Sequence, residues 1–353
     1  MIFIDVSKNN WKEMEELHER YLIETIPENW YYFEKKRKID ASEKNNVKKI
    51  LEKKKIKIPD KNDDKNKKKK DLKTLINLCT SLNCLKNADN YKKDNLFIGT
   101  GIKVEERSRY INYIIDILGY KKFNEGIERV KTKDGKNRWC RHTFMNRLGI
   151  KVCPYCNRQY ITSYKVHRDT IKTTTDTDHY FPKSEFPLLS MNIYNMVPSC
   201  QICNSRMKIN CVVDYGGRHL YPYEDLSDSL KFEIPFSKVE ELYNFSENDI
   251  KICLKTKKGD EISKRAKQSK EIFKLEQVYE AHRDIVYKLK NNMKEYSTEN
   301  YKKIFCKNYT DIFGGYDNFL EVLYPFLGED EKEVPLVKLK KDIYEYIQNK
   351  SKA

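Results

Sequence analysis

Two cysteine pairs frame the part of this sequence that can do chemistry: Cys153-Pro-Tyr-Cys156 and Cys200-Gln-Ile-Cys203. Each Cys-x-x-Cys pair forms a tight knuckle with two thiolates, and two knuckles brought together make a tetrahedral four-cysteine zinc site. Four thiolates leave no open position, so the expected zinc is structural. Between and beside the pairs stand a carboxylate, an imidazole and two carboxamides: Asp178, His179, Asn195 and Asn204. A zinc staple therefore encloses groups able to move a proton and to hold a hard cation.

The order of these residues resembles the HNH nuclease family, whose ββα-metal core is often buttressed by such a zinc. Asp178-His179 matches the family's Asp-His pair at the end of the first strand. Asn195, in Asn-Met-Val-Pro, matches the middle Asn before the second strand, and Asn204, directly after Cys203, takes the third motif position. Ser205-Arg-Met-Lys208 fits the family's basic helix. The resemblance covers roughly residues 148–223.

The resemblance implies a metal-dependent endonuclease that hydrolyses phosphodiester bonds, with DNA the first expectation and RNA an open alternative. His179 is then the general base, since an imidazole with a pKa near 6.5 is mostly neutral at about pH 7. Asp178 faces the opposite side of an extended strand and, with Asn204, supplies oxygen ligands suited to Mg²⁺ or another divalent ion. Asn195 is expected to fix the loop that carries His179. Lys183, Arg206 and Lys208 are the candidate phosphate contacts. The family setting implied is bacterial anti-phage defence or restriction. No G-x-x-x-x-G-K-[ST] loop occurs here, so an ATPase would be a separate partner.

A different class of reading needs no catalysis. Paired cysteines also build zinc ribbons that only bind nucleic acid or act as adaptors. Asp178 then becomes a turn residue, and Asn195 and Asn204 become caps or loop fillers. Cys211 and His219 lie near enough in sequence to replace one of the four thiolates.

The elements that must position these groups read as an α+β chain. A small ββα-metal core stapled by zinc (148–223) sits between a mainly helical N-terminal region (1–147) and short strands followed by a helical C-terminal region (224–353). Ser7 is placed to cap a helix with apolar positions Trp11, Met14, Leu17, Tyr21 and Leu22, which Pro27 should end. Trp30, Tyr32 and Phe33 are expected as core anchors. Further helices are expected near Leu72–Leu82, Val104–Leu118 with Gly119 as its stop, and Arg141–Leu148. Gln159–Val166 and Ile171–Thr177 read as a β-hairpin whose second strand delivers Asp178 and His179. Met196–Ser199 reads as a strand and Gln201–Lys208 as a helix. Strands at Lys231–Phe236 and Ile250–Thr256 follow, the latter running into a turn at Lys258-Gly-Asp260. A long helix from Ser263 has His282 on its apolar stripe.

Composition bounds the function less sharply. The chain of 353 residues carries a formal charge of +16. Residues 35–70 hold 17 Lys or Arg against six Asp or Glu, so this Lys-rich tract carries most of the excess. It reads as a solvated linker or loop, with a short helix suggested by Val47, Ile50 and Leu51 and a stretch from Asp60 to Lys70 too polar to fold alone; phosphate tracking is the alternative. No run of 18 apolar residues is present, which argues against a membrane span. The N-terminus lacks the basic and apolar regions of a secretory signal, and ten cysteines without a disulfide framework fit a reducing, cytoplasmic setting.

Overall fold

Trp11, Met14, Leu17, Tyr21, Leu22 and Ile26 step along one face of a helix, and all are buried in α1 (Asn10–Lys35). A computed structural model describes residues 2–6, 10–126, 130–131, 135, 138–167, 170–208, 219–224, 229–256, 261–296 and 298–352. The expected cap Ser7 and the turn at 258–260 lie outside these residues. Pro27 does not end α1; it is buried inside the helix. The hydrogen bond it forfeits is offset by burial on both sides, with Ile26 and Phe33 in the core and the Asn29 carboxamide donating to the Ile117 carbonyl. Phe33 is a core anchor, whereas Tyr32 is exposed.

The chain divides into two compact units: 5–149 with 162–199, and 1–4 with 150–161 and 200–353. Residues 148–223 thus contribute to both. The described residues of the first unit are helical around α1, with one β-hairpin and one two-stranded ladder. The Lys-rich tract contains α2 (Ala41–Lys53), longer than the short helix expected around Val47–Leu51, and a helix over Lys65–Asp71 where a polar linker or loop was expected. Aspartates explain the difference. Asp40 and Glu43 form a reciprocal capping box on α2, and Asp64 accepts from the amides of Asn66 and Lys67. Val47, Ile50 and Leu51 then bury one face of α2, while the second helix buries nothing.

The strands near the motif differ from the expected single hairpin. β1 (Ser163–His167) pairs with β2 (Thr170–Thr173), antiparallel with a bulge between Lys165 and His167. β3 (Asp176–His179) is separate and pairs with β4 (Met196–Ser199), Asp178 opposite Val197 and His179 opposite Met196. Threonines end β2 between them: the Thr175 amide donates to Thr173 Oγ1 at 3.1 Å. Such a side-chain turn competes with ladder hydrogen bonds. Gln159–Ile161 belong to the other unit, where Tyr160 bridges to Val152.

That unit holds the antiparallel pair β5 (Leu230–Glu233) and β6 (Cys253–Thr256). The long helix expected from Ser263 is three segments: Glu261–Ile272, Leu275–Tyr279 and Arg283–Tyr296. Lys274 interrupts it at φ 47°, a left-handed conformation incompatible with helix continuation. His282 is half-buried and accepts from Arg158 Nε at 2.9 Å, so it is a satisfied histidine in a short turn rather than on a stripe. Among the described residues, no helix is long and apolar enough to cross a membrane.

Candidate metal centre and acid-base site

Cys153, Cys156, Cys200 and Cys203 are all buried, and their Sγ atoms lie within 4.8 Å of one another. Thiolates around a zinc at about 2.3 Å stand roughly 3.8 Å apart, so the four sulfurs fit a tetrahedral ion of that size. Hydrogen bonds from Cys153, Cys156 and Cys203 hold the Cys200 thiol well below its ordinary range, and burial holds Cys153 well above it. Sulfurs crowded this closely share protons unless a cation takes their charge. The cluster could hold a structural metal. His219 is fully buried, with Nδ1 2.9 Å from the Leu220 carbonyl, and is not among the clustered ligands; Cys211 lies outside the described residues.

The first knuckle is braced by neighbours that sequence spacing does not reveal. Asn157, directly after Cys156, adopts φ 49°, a conformation Asn tolerates better than most residues. Its Nδ2 donates to the Glu331 carbonyl at 3.0 Å and its Oδ1 accepts from the Lys338 amide at 3.2 Å. The Tyr279 hydroxyl donates to the Cys156 carbonyl at 2.6 Å, and Tyr155 stacks on Phe273 at 4.6 Å. Lys338 and Asp342 form a buried ion pair at 3.1 Å, and Asp342 also accepts from the Phe232 amide at 3.0 Å. Asn157 thus links the knuckle to a charge-paired helix, Val337–Lys352.

The second knuckle is not α-helical. Ile202–Met207 is a π-helical turn, in which the Lys208 amide reaches back five residues to the Cys203 carbonyl at 3.0 Å. Such turns are rare and concentrate at functional sites. Asn204 is half-buried and Arg206 exposed on this turn. Lys208, expected to touch phosphate, is buried with its ammonium 5.9 Å from the Tyr155 ring, which leaves it little surface for that task.

In the other unit, β3 ends in Asp178 and His179, 4% and 8% exposed. Adjacent strand residues point to opposite faces. His179 Nε2 lies 2.9 Å from the Ser190 carbonyl. A carbonyl only accepts, so Nε2 carries the proton and the neutral ring keeps its lone pair on Nδ1. Asn195 is fully buried and its side chain serves the loop after β3: Oδ1 accepts from the Phe181 amide at 2.7 Å, and Nδ2 donates to the Phe181 and Leu189 carbonyls, each at 3.0 Å. Asn192 caps the turn before it, accepting from the amides of Tyr194 and Asn195.

Tyr120 was not among the residues singled out by sequence, yet it meets His179 edge to face at 4.9 Å. Lys183 Nζ stands 4.3 Å over the same ring. Burial, with Asp176 and Asp178 nearby, pushes the Tyr120 hydroxyl up to about 12 despite the opposing charge of Arg141. Gly119 sets its position: at φ 83° it turns the chain out of the preceding helix, and an added Cβ would stand 2.9 Å from Thr25 Cγ2. Comparison with family models, curated proteins and solved structures finds no match to this chain.

Proposed function

We propose that this protein is a metal-dependent endonuclease of the HNH type, with His179 as general base. The observation that carries the reading is the hydrogen bond from His179 Nε2 to the Ser190 carbonyl, which leaves Nδ1 as the proton-accepting atom. In this reading Nδ1 takes a proton from the attacking water, and the Asn195 clamp keeps the loop behind His179 in register. Lys183 and Arg206 offer positive charge to phosphate. Asn204 enters through its place in the sequence, after Cys203 and across the chain order strand, loop, strand, helical turn.

Asp178 offers the carboxylate oxygen that a divalent ion such as Mg²⁺ prefers, and such an ion would supply charge neutralisation at the phosphate and the leaving oxygen; Asn204 is assigned as a ligand by the family resemblance alone. Cys153, Cys156, Cys200 and Cys203 would hold a structural zinc, which on the scale of zinc-finger peptides contributes about 10 kcal/mol to folding. A defence or restriction setting with a separate ATPase partner rests on the family resemblance alone.

The depth of His179 and Asp178 favours a second reading, a zinc-stapled nucleic-acid-binding or adaptor module without catalysis. Purified protein on supercoiled plasmid, linear duplex, single-stranded DNA and RNA, each with Mg²⁺ or EDTA, separates the two. Metal-dependent cleavage of any substrate supports the nuclease. Binding without cleavage on all four supports the adaptor.

A further inference from the structure

The helix over Arg141–Leu148 begins without a side-chain cap: Cys140 occupies the cap position and accepts no amide there. Its first turn opens into a cavity of about 380 Å³, within the usual range for small-molecule sites. The wall carries Lys131 and Arg138, paired across an antiparallel bridge, and Lys172 of β2, with Glu125 the one acid among the described lining residues. Thr143 is held in the wall by donating to the Arg138 carbonyl at 2.5 Å.

His142 lines the same cavity. It is 7% exposed, and its Nδ1 is buried with no hydrogen-bond partner. A buried polar atom left unmatched costs about 1–3 kcal/mol. Natural chains tolerate that where a ligand or switch satisfies it. Positive side chains, a helix start without a side-chain cap and an orphaned imidazole nitrogen converge here, the combination that receives an oxyanion.

We propose that this cavity is a phosphate-binding pocket, distinct from the His179 site and outside the reading of the chain as a nuclease. The cations recognise the doubly bonded and anionic oxygens, the helix amides add a fixed dipole, and His142 donates from the floor. Burial first, then Arg141 and Lys172, push its pKa down to about 4, so near neutral pH the ring is uncharged and can present a single N–H to the ligand. The phosphate comes from a free mononucleotide or from a nucleic-acid strand.

The test uses the full chain in EDTA, so that cleavage plays no part, with three probes: inorganic phosphate, a 5′-mononucleotide and a short single-stranded oligonucleotide. Binding is followed by equilibrium dialysis at low salt for the wild type, the double variant Arg138→Gln/Lys172→Gln, His142→Gln, and the control Lys264→Gln. The side chains changed in the double variant are at least partly exposed, and Lys264 is an exposed lysine of the other unit. Expected is a loss of about tenfold or more in the double variant, as for two charge-assisted contacts, a smaller loss in His142→Gln, and none in Lys264→Gln. Loss on phosphate and mononucleotide assigns the pocket to a free phosphate ester; loss on the oligonucleotide alone assigns it to a strand. Absence of wild-type binding to all three probes, or equal losses in the double variant and Lys264→Gln, overturns the proposal. Circular dichroism of each variant guards against misfolding.

Discussion

Asn195 holds Phe181 by both of its backbone groups. The Phe181 amide donates to Asn195 Oδ1 at 2.7 Å, and Asn195 Nδ2 returns a bond to the Phe181 carbonyl at 3.0 Å. One carboxamide thus imitates a strand partner and ties the residue two positions past His179 to the start of β4. A third bond, to the Leu189 carbonyl, reaches the segment whose Ser190 carbonyl receives the His179 ring.

Because Asn195 is fully buried, removing it exposes no compensating water. Asn195→Ala removes the side-chain partner of the Phe181 amide and of its carbonyl, while the Leu189 carbonyl keeps the Asn192 amide at 3.1 Å; each such buried loss costs about 1–3 kcal/mol. We expect a loss of at least about 2 kcal/mol in a denaturant titration, far more than a residue that merely fills a loop. Asn195→Asp should be as damaging, since it turns two carbonyls toward a carboxylate. A loss within error of zero for both variants would refute the clamp.

His18 gives the fold a pH dependence with a definite sign. Its ring is fully buried, Nε2 lying 2.7 Å from the Met191 carbonyl and Nδ1 accepting from Trp139 Nε1 at 3.2 Å. Both nitrogens are used by the neutral form, and burial pushes the pKa down to about 4 from 6.5. Between those values the unfolded chain binds a proton that the folded chain refuses. Stability therefore falls as pH drops from about 6.5 toward 4, by up to about 1.4 kcal/mol per pH unit. His18→Phe should be less stable at pH 7.5 yet show a flatter profile between pH 5 and 7. An unchanged slope would show that His18 does not titrate as described.

The two sets of residues were legible in the sequence to different degrees. The four cysteines announced their cluster because Cys-x-x-Cys spacing is a local property that survives any packing. The loop with Pro182 and Pro187 and the strand Met196–Ser199 were legible from local residue types, whereas the break at Thr175 that separates β3 from β2 was not. Tyr120 was invisible: it lies far from His179 in sequence and arrives through the turn at Gly119. The π-helical turn at Ile202–Met207 was read as an ordinary helix because a shift from four to five residues per hydrogen bond leaves no mark on composition. The apolar positions Val47, Ile50 and Leu51 made a short helix legible in the Lys-rich tract, but not the full extent of α2, and the helix over Lys65–Asp71 was not legible because it buries nothing and its cap, Asp64, is one residue set among many charges.

For the metal centre we expect one zinc per chain by elemental analysis, lost together with cooperative unfolding in any single Cys→Ser variant of Cys153, Cys156, Cys200 or Cys203. Tyr279→Phe is a gentler probe. It removes only the 2.6 Å bond to the Cys156 carbonyl and should cost about 1 kcal/mol without releasing metal. Protein purified without chelator and free of zinc would remove the metal reading of the cluster.

The chemistry assigned to His179 depends on the atom left for the proton. With Nε2–H committed to the Ser190 carbonyl, Nδ1 is the basic atom, and a substitute must offer an acceptor there to retain any activity. His179→Ala should abolish cleavage, a drop of about 10²-fold or more if only proton transfer is lost. Its stability cost should stay near that of one unmatched carbonyl, about 1–3 kcal/mol. Tyr120→Phe keeps the edge-to-face contact at 4.9 Å and should cut at near the wild-type rate, whereas Tyr120→Ala removes the wall against which the imidazole rests and should slow cleavage with zinc content unchanged. Asp178→Ala should be inactive through metal binding, and excess Mg²⁺ should restore part of the activity of Asn204→Ala. A cleavage time course for these variants at several Mg²⁺ concentrations, with circular dichroism as the folding control, tests the set. Wild-type cleavage by His179→Ala would end the assignment of the general base, whatever the four cysteines hold.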